Sequence, residues 1–270
     1  MIEKISDILI ITDVDGTLLR EKSGISKENL DAIKRFTDKG GHFTVSTGRA
    51  IDVARYLLKD IPINTPSVHI NGGYFYDWQN EKIIEPNYIS IYARYIIKKI
   101  KEKFDFCDCH FASTDSVNLL TSGNYLKKYI PEREFHFFEG NIEDIPENVY
   151  KYIVCCDPEN MDAVRTFAES AAGKDIKVIQ SSPFFLEILP AKNSKGASLK
   201  RLCEMIDIPL ENSVAAGDFE NDSEMLLTAG LGAAVENAQE SLKEIADVIL
   251  PSCEENAIAH LIEFLEEMYD

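Results

Sequence analysis

Asp13-Val14-Asp15-Gly16-Thr17-Leu18, directly downstream of the apolar run Ile8-Leu9-Ile10-Ile11, places two carboxylates at the exit of what reads as a short buried strand. Inside a strand both acids would point to one face. Here Gly16 supplies flexible backbone and the chain turns instead, so the two acids converge on one small volume. Acids paired in this way do two jobs, one attacking and the other moving protons. Between them they also offer hard oxygen ligands for Mg²⁺. The same D-x-D-G composition equally suits a polar turn after a strand, so the wider sequence has to separate the two readings.

Three more segments carry chemistry-bearing residues after apolar runs or at helix starts. Ser46-Thr47-Gly48-Arg49 follows His42-Phe43-Thr44-Val45, Lys195-Gly196 opens a helix-like segment, and Gly217-Asp218-Phe219-Glu220-Asn221-Asp222 follows Val214-Ala215-Ala216. In an open parallel sheet the ligand site lies beyond the carboxyl ends of the strands, so all four segments are expected at one rim. Singly, each has a bland reading. Thr47 suits a cap for the helix starting near Ala50, Lys195 a solvated surface charge, and Asp218 and Asp222 turn and N-cap positions. Arg49 reads as half of a structural ion pair rather than a substrate contact. Asn71-Gly72-Gly73 reads as a turn, with contact between Asn71 and a substrate left open.

Taken together, the four segments resemble the haloacid dehalogenase superfamily, and within it the sugar-phosphatase branch of Cof-like hydrolases with a C2-type cap. Asp13-x-Asp15-Gly16-Thr17-Leu18-Leu19, Thr47-Gly48-Arg49, Lys195-Gly196 and Gly217-Asp218-x-x-Asn221-Asp222 stand in that family's order. Asn71-Gly72-Gly73 and the tail Ala234-Val235-Glu236-Asn237-Ala238 extend the likeness over nearly the whole chain, with the middle third matching only in pattern. Two tail positions depart from it. Glu236 stands where such chains often carry Gly, and Glu254-Glu255-Asn256-Ala257 replaces a more usual Asp-Gly pair.

The resemblance implies a Mg²⁺-dependent phosphatase of small phosphorylated metabolites of the sugar-phosphate type, working through an aspartyl-phosphate. It implies Asp13 as nucleophile and Asp15 as general acid and base. It implies Mg²⁺ held by the Asp13 carboxylate, the Asp15 backbone carbonyl and Asp218, with Asp222 holding a metal-bound water or orienting Lys195. The phosphoryl group would be met by the Val14 and Gly48 amides, the Thr47 hydroxyl, Lys195 and the Asn221 side chain. A phosphosugar mutase uses the same acid pair and is the alternative. A non-enzymatic binding or regulatory protein on the same scaffold is a third reading, although all the acids it could have lost are present.

Composition narrows the partners. The 270 residues carry 45% hydrophobic content, enough for a sizeable core, and a net charge of −18. That charge repels nucleic acid and anionic membranes, whereas a small phosphorylated substrate can bind at a locally positive site. Six cysteines without a C-x-x-C spacing read as buried free thiols in a reducing cytoplasm. No apolar stretch approaches the roughly 20 residues that cross a bilayer. The five histidines show no metal spacing.

The organisation is expected to be α/β: a Rossmann-like parallel-sheet core with helices on both faces, plus an inserted α+β cap. Helix and strand signals alternate from the N-terminus to Ser67-Val68-His69-Ile70, read as a third core strand, and again from Ser194 onward. Between them a helix over 89–103 and strand-like Val117–Leu120, Tyr150–Cys155, Lys177–Gln180 and Phe184–Leu189 suggest an α+β unit. The expected division is a discontinuous catalytic core, 1–85 and 190–270, and a substrate-specificity cap, 86–189, hinged near Glu85-Pro86 and Leu189-Pro190.

Overall fold

The computed structural model describes residues 2–20, 24–113, 117–121, 135–138 and 141–269. In chain order it carries β1 (Leu9–Thr12), α1 (Lys27–Asp38), β2 (His42–Val45), α2 (Ile51–Leu58), β3 (Ser67–His69), β4 (Tyr74–Asp77) and β5 (Lys82–Ile84). There follow α3 (Ala93–Lys103), β6 (Asp108–Ala112), β7 (Val117–Leu119), β8 (Phe135–Phe137), β9 (Lys151–Cys155), α4 (Pro158–Ala171), β10 (Ile176–Ser182) and β11 (Phe185–Pro190). The chain then forms α5 (Lys195–Ile206), β12 (Ser213–Gly217), α6 (Ser223–Thr228), β13 (Leu231–Val235), α7 (Glu240–Lys243), β14 (Val248–Leu250) and α8 (Ala257–Tyr269). It divides into two compact units, Met1–Glu85 with Ser194–Asp270, and Pro86–Asn193.

The first unit is built on a parallel sheet in the order β14-β13-β12-β1-β2. Every residue of β1 and β12 is buried. Such runs are apolar on both sides because helices cover both faces of the sheet. Local signals set the helix starts. Ser26 Oγ accepts the Asn29 amide at 3.0 Å to begin α1, and Ser194 Oγ accepts the Ala197 amide at 2.9 Å to begin α5. Asn29, Ala32, Ile33 and Phe36 then form the buried stripe of α1.

One expected core strand lies elsewhere. β3 joins β4 and β5 in a separate antiparallel sheet and touches the main sheet through an isolated parallel bridge between Ser46 and Val68. The apolar run of β3 carries no mark of its pairing partner, and the adjacent hairpin strand Tyr74–Asp77 captures it.

The second unit is α+β. Its sheet runs β10-β11-β9-β6-β7-β8, antiparallel except for the β7–β8 pair. Ile96, Ile97 and Ile100 of α3 and Met161 and Val164 of α4 share one core with Val154, Leu186 and Ile188 of the sheet. Residues 190–193, expected with the core, belong to this unit. Pro190 pairs with Ile176, the Ala191 amide donates to the Asp175 carbonyl, and the Asn193 side chain bonds that of Asn87. The re-entry point is therefore Ser194, the cap of α5, rather than Leu189-Pro190. α3 likewise starts later than the expected 89; the residues before it make tighter turns, the Ala93 amide donating to the Ser90 carbonyl and the Arg94 amide to that of Ile91.

A long-range cap ties the two sections of the first unit together. Asn29 Oδ1, fully buried on α1, accepts the Ala259 amide in the first turn of α8 at 2.9 Å. That amide also reaches the Asn256 carbonyl at 2.9 Å, so Asn29→Ala removes the long-range one of its two acceptors. We expect a loss of about 0.5–1.5 kcal/mol, the net worth of one hydrogen bond, read as a lower urea midpoint at unchanged slope. An unchanged midpoint would show that the cap contributes nothing.

Candidate active site

Register brings the expected residues together. Thr12 stands level with Ala216 on one side and Val45 on the other. The residues that follow each, Asp13, Gly217-Asp218 and Ser46-Thr47, therefore reach one rim of the sheet. The Asp13 amide donates to the Ala216 carbonyl at 2.8 Å, which carries the pairing one step past the strand before the chain turns. Lys195 arrives from the first turn of α5, and Asp222 from the turn that precedes α6.

At the centre Lys195 donates to two carboxylates, Asp13 Oδ1 at 2.5 Å and Asp222 Oδ1 at 2.6 Å. All three side chains are buried. Asp222 Oδ2 accepts the Asp218 and Phe219 amides at 3.0 and 3.1 Å, so one residue both holds the ammonium and shapes the loop carrying Asp218. Gly196 lets the helix start come this close, since a Cβ there would lie 2.6 Å from the Glu224 carbonyl oxygen.

Ligand oxygens of Asp13, Asp218 and Asp222 lie within 4.8 Å of one another, the spacing of a cation site. Asp218 Oδ1 accepts the Thr17 hydroxyl at 3.2 Å. Gly16, at φ +84°, packs against Asp218, and a Cβ would sit 2.4 Å from Oδ2. Three carboxylates against one ammonium leave a formal −2 if all are ionised. The cost appears in their proton affinities. Burial, with the charges of Asp222, Asp218 and Asp15, pushes Asp13 well above the usual carboxylate range against the pull of Lys195. Burial and Asp222 raise Asp218 to about 7. Burial alone would lower Lys195, but Asp13 and Asp222 more than offset it and hold the ammonium charged. A divalent ion bound by hard oxygens fits both the donor set and the charge deficit.

The remaining residues line the same rim. Thr47 is buried and does not cap α2, whose N-cap is Ala50; its Oγ1 accepts the Arg49 amide at 3.1 Å, leaving the hydroxyl hydrogen to donate. A Cβ on Gly48 would meet the Asn71 side chain at 3.4 Å. Val14 is buried, and its carbonyl accepts the Leu18 and Leu19 amides, closing the turn after Asp13. Asn221 Nδ2 donates to Asn71 Oδ1 at 3.3 Å.

Asp15 stands apart from the other acids. Its carboxylate is engaged by Arg49, Nε to Oδ2 at 2.7 Å and an Nη to Oδ1 at 2.8 Å, and lies outside the cluster of Asp13, Asp218 and Asp222. The expected ion pair of Arg49 is thus present, with the second acid as its partner. Two further supports, named in the sequence only as part of a turn and of the tail, have their contacts here. Asn71 sits in a turn where Ile70 and Asn71 both have φ of +52°, a conformation costly for a β-branched residue. Asn237 links the tail to the first loop, donating to the Gly16 carbonyl at 2.8 Å and accepting the Cys253 amide at 2.9 Å. Asn-rich turns after apolar runs were the available signal for both.

Comparison with known proteins finds relatives over nearly the whole chain. A sequence profile of haloacid dehalogenase-like hydrolases matches residues 10–262. The 5-amino-6-(5-phospho-D-ribitylamino)uracil phosphatase YwtE of Bacillus subtilis is 31% identical over 281 aligned positions, covering 95% of this chain and 97% of the relative. A haloacid dehalogenase-like hydrolase structure from B. subtilis superposes with a TM-score of 0.84 at 27% identity, covering 95% of this chain and 99% of that one. One from Bacteroides thetaiotaomicron superposes at 0.83 and 26%, covering 96% and 99%.

The raised Asp218 makes a signed prediction. Between its ordinary value of 3.8 and about 7, the unfolded chain loses this proton while the native protein keeps it. The native state then binds more protons, so this group lowers stability as pH rises through that window. In EDTA, Asp218→Asn should raise the melting temperature at pH 7.5 by about 4 °C and change it little at pH 4.5. Equal shifts at both pH values would show that Asp218 is not held protonated.

Proposed function

The chain belongs to the haloacid dehalogenase-like hydrolases, and on that footing we propose that it is a Mg²⁺-dependent cytoplasmic phosphatase of small phosphorylated metabolites of the sugar-phosphate type. The observation that carries this reading is the convergence of Asp13, Asp218 and Asp222 around one buried ammonium. Phosphate monoesters are among the slowest to hydrolyse unaided, so catalysis has to supply charge neutralisation, an in-line nucleophile and a proton for the leaving oxygen.

In the proposed reaction an Asp13 carboxylate oxygen bonds to phosphorus as the ester P–O bond breaks. Asp15 gives its proton to the departing alkoxide. Asp15 then takes a proton from the water that attacks the aspartyl-phosphate, and the bond between phosphorus and Asp13 breaks to restore the free acid. Lys195, the Thr47 hydroxyl, the Val14 and Gly48 amides and the Asn221 side chain meet the charge on the phosphoryl oxygens. The carboxylates of Asp13, Asp218 and Asp222, with the Asp15 carbonyl, would hold Mg²⁺, which when bound neutralises phosphoryl charge. We assign selection among substrates to the inserted unit Pro86–Asn193. The phosphoribityl compound in the name of the B. subtilis relative makes that ester the first to try. Six buried free cysteines support a reducing compartment, and among the described residues no helix is long and apolar enough to cross a membrane.

The test is a panel of p-nitrophenyl phosphate, sugar phosphates and 5-amino-6-(5-phospho-D-ribitylamino)uracil. Activity should vanish in EDTA and return with Mg²⁺, with Ca²⁺ a poor substitute because of its looser coordination. Asp13→Asn should fold normally and lose at least ~10³ in turnover. A folded Asp13→Asn protein with near wild-type turnover, or full activity in metal-free enzyme, would overturn the mechanism.

A further inference from the structure

Arg49 meets Asp15 as a fork. Nε and an Nη each take a different carboxylate oxygen, at 2.7 and 2.8 Å. A carboxylate offers about four lone-pair sites, so a two-pronged contact sets the plane of the group and leaves a site on each oxygen for proton exchange. Asp15 needs such a holder. Its side chain is 49% exposed, so little packing around it restricts its rotamer.

The backbone of Arg49 is held from behind. Its amide donates to Thr47 Oγ1, and its carbonyl accepts the Ile70 amide at 3.3 Å and contacts His69 Nδ1 at 3.1 Å. A carbonyl only accepts, so Nδ1 carries the ring proton and Nε2 is the acceptor. Nε2 then takes the hydrogen of Ser67 Oγ at 2.8 Å, and that oxygen accepts Trp78 Nε1 at 2.8 Å. The result is one directed chain, Trp78 to Ser67 to His69 to the Arg49 carbonyl. Burial lowers His69 to about 4, so its ring stays neutral and the direction of the chain does not change near neutral pH.

As a stabilising contact the ion pair is a poor investment. Both side chains are a third or more exposed, and such pairs are worth about 0–1 kcal/mol. We infer that Arg49 is a positioning residue for the general acid and base: its fork, anchored through His69, Ser67 and Trp78, holds the Asp15 carboxylate in the orientation that transfers protons to the leaving group and from water. This rests on the phosphatase reading above.

The experiment compares wild type, Arg49→Met and Arg49→Lys on p-nitrophenyl, phenyl and p-methoxyphenyl phosphate. A good leaving group hardly needs an acid, and a poor one does. Arg49→Met should lose no more than about 3-fold in kcat/KM on p-nitrophenyl phosphate and about 30-fold on the two poorer leaving groups. It should also show a burst of p-nitrophenol, because the same carboxylate activates the water of the second step. Arg49→Lys keeps the charge but not the fork, and should show the same steepened leaving-group dependence. In an Asp15→Asn background, Arg49→Met should cost nothing further. Equal losses across the series would make Arg49 a phosphoryl ligand, and no loss would make it a surface ion pair. Full rescue by Lys, or additive losses with Asp15→Asn, would likewise overturn the inference. Melting temperatures within about 2 °C of wild type are expected, since the pair contributes little stability. If wild type turns over none of the three esters, the phosphatase reading falls and takes this one with it; wild-type turnover with parallel losses overturns this one alone.

Discussion

Lys195 is the residue around which the first unit is arranged. A cation in the first turn of a helix faces the positive end of the helix dipole, and this one is 1% exposed. Neither circumstance favours an ammonium. Only the carboxylates of Asp13 and Asp222, at 2.5 and 2.6 Å, make the position tenable. Buried ion clusters of this kind are weak contributors to stability, since apolar packing of equal volume does as well or better. They persist where a site needs them, and here three loops are bent to serve one. Asp222 spends its second oxygen on the amides of the Asp218 loop, so the group that steadies the ammonium also sets the place of the third acid.

The acids outnumber the cation they surround, and that imbalance gives the cluster its character. A site satisfied by its own charges would be a structural knot. This one stays electrically short, with Asp13 and Asp218 both raised, and is therefore receptive to a hard cation. The fourth acid, Asp15, is withheld from the cluster by Arg49. Two carboxylates two residues apart thus have different surroundings, one buried beside an ammonium and one half exposed on a guanidinium. Unequal surroundings are what allow two identical groups to hold different roles.

The strand positions of the parallel core were legible because burial on both faces leaves short unbroken apolar runs before each motif, as in Ile8–Ile11 and Val214–Ala216. The sites at their exits were legible through motif order. What sequence could not carry was pairing. The run at Ser67–Ile70 looks like the others, yet a following hairpin claims it. Arg49 could be read as an ion-pair partner, but the identity of its acid depends on how two loops from neighbouring strands fall together. Asn71 and Asn237 were visible but their partners were not, for a similar reason: an asparagine in a turn looks alike whether it caps its own backbone or reaches a distant loop. Asn256 shows the opposite case. The tail lacks the glycine that family resemblance leads one to expect, yet Asn256 adopts φ +64° and supplies the left-handed residue itself.

The interrupted layout of the first unit has a consequence for biosynthesis. Every strand partner described in Pro86–Asn193 lies within that segment, so all its pairings are available once residue 193 has left the ribosome. β1 has no such fortune. One of its two neighbours is β2, but the other is β12, about two hundred residues downstream. During translation the apolar strand Leu9–Thr12 therefore waits with one edge unpaired while more than half the protein is made. Unpaired apolar edges are where nascent chains associate wrongly, and contacts of such long sequence separation form slowly. Keeping that edge covered until β12 emerges is the demand this chain order places on synthesis.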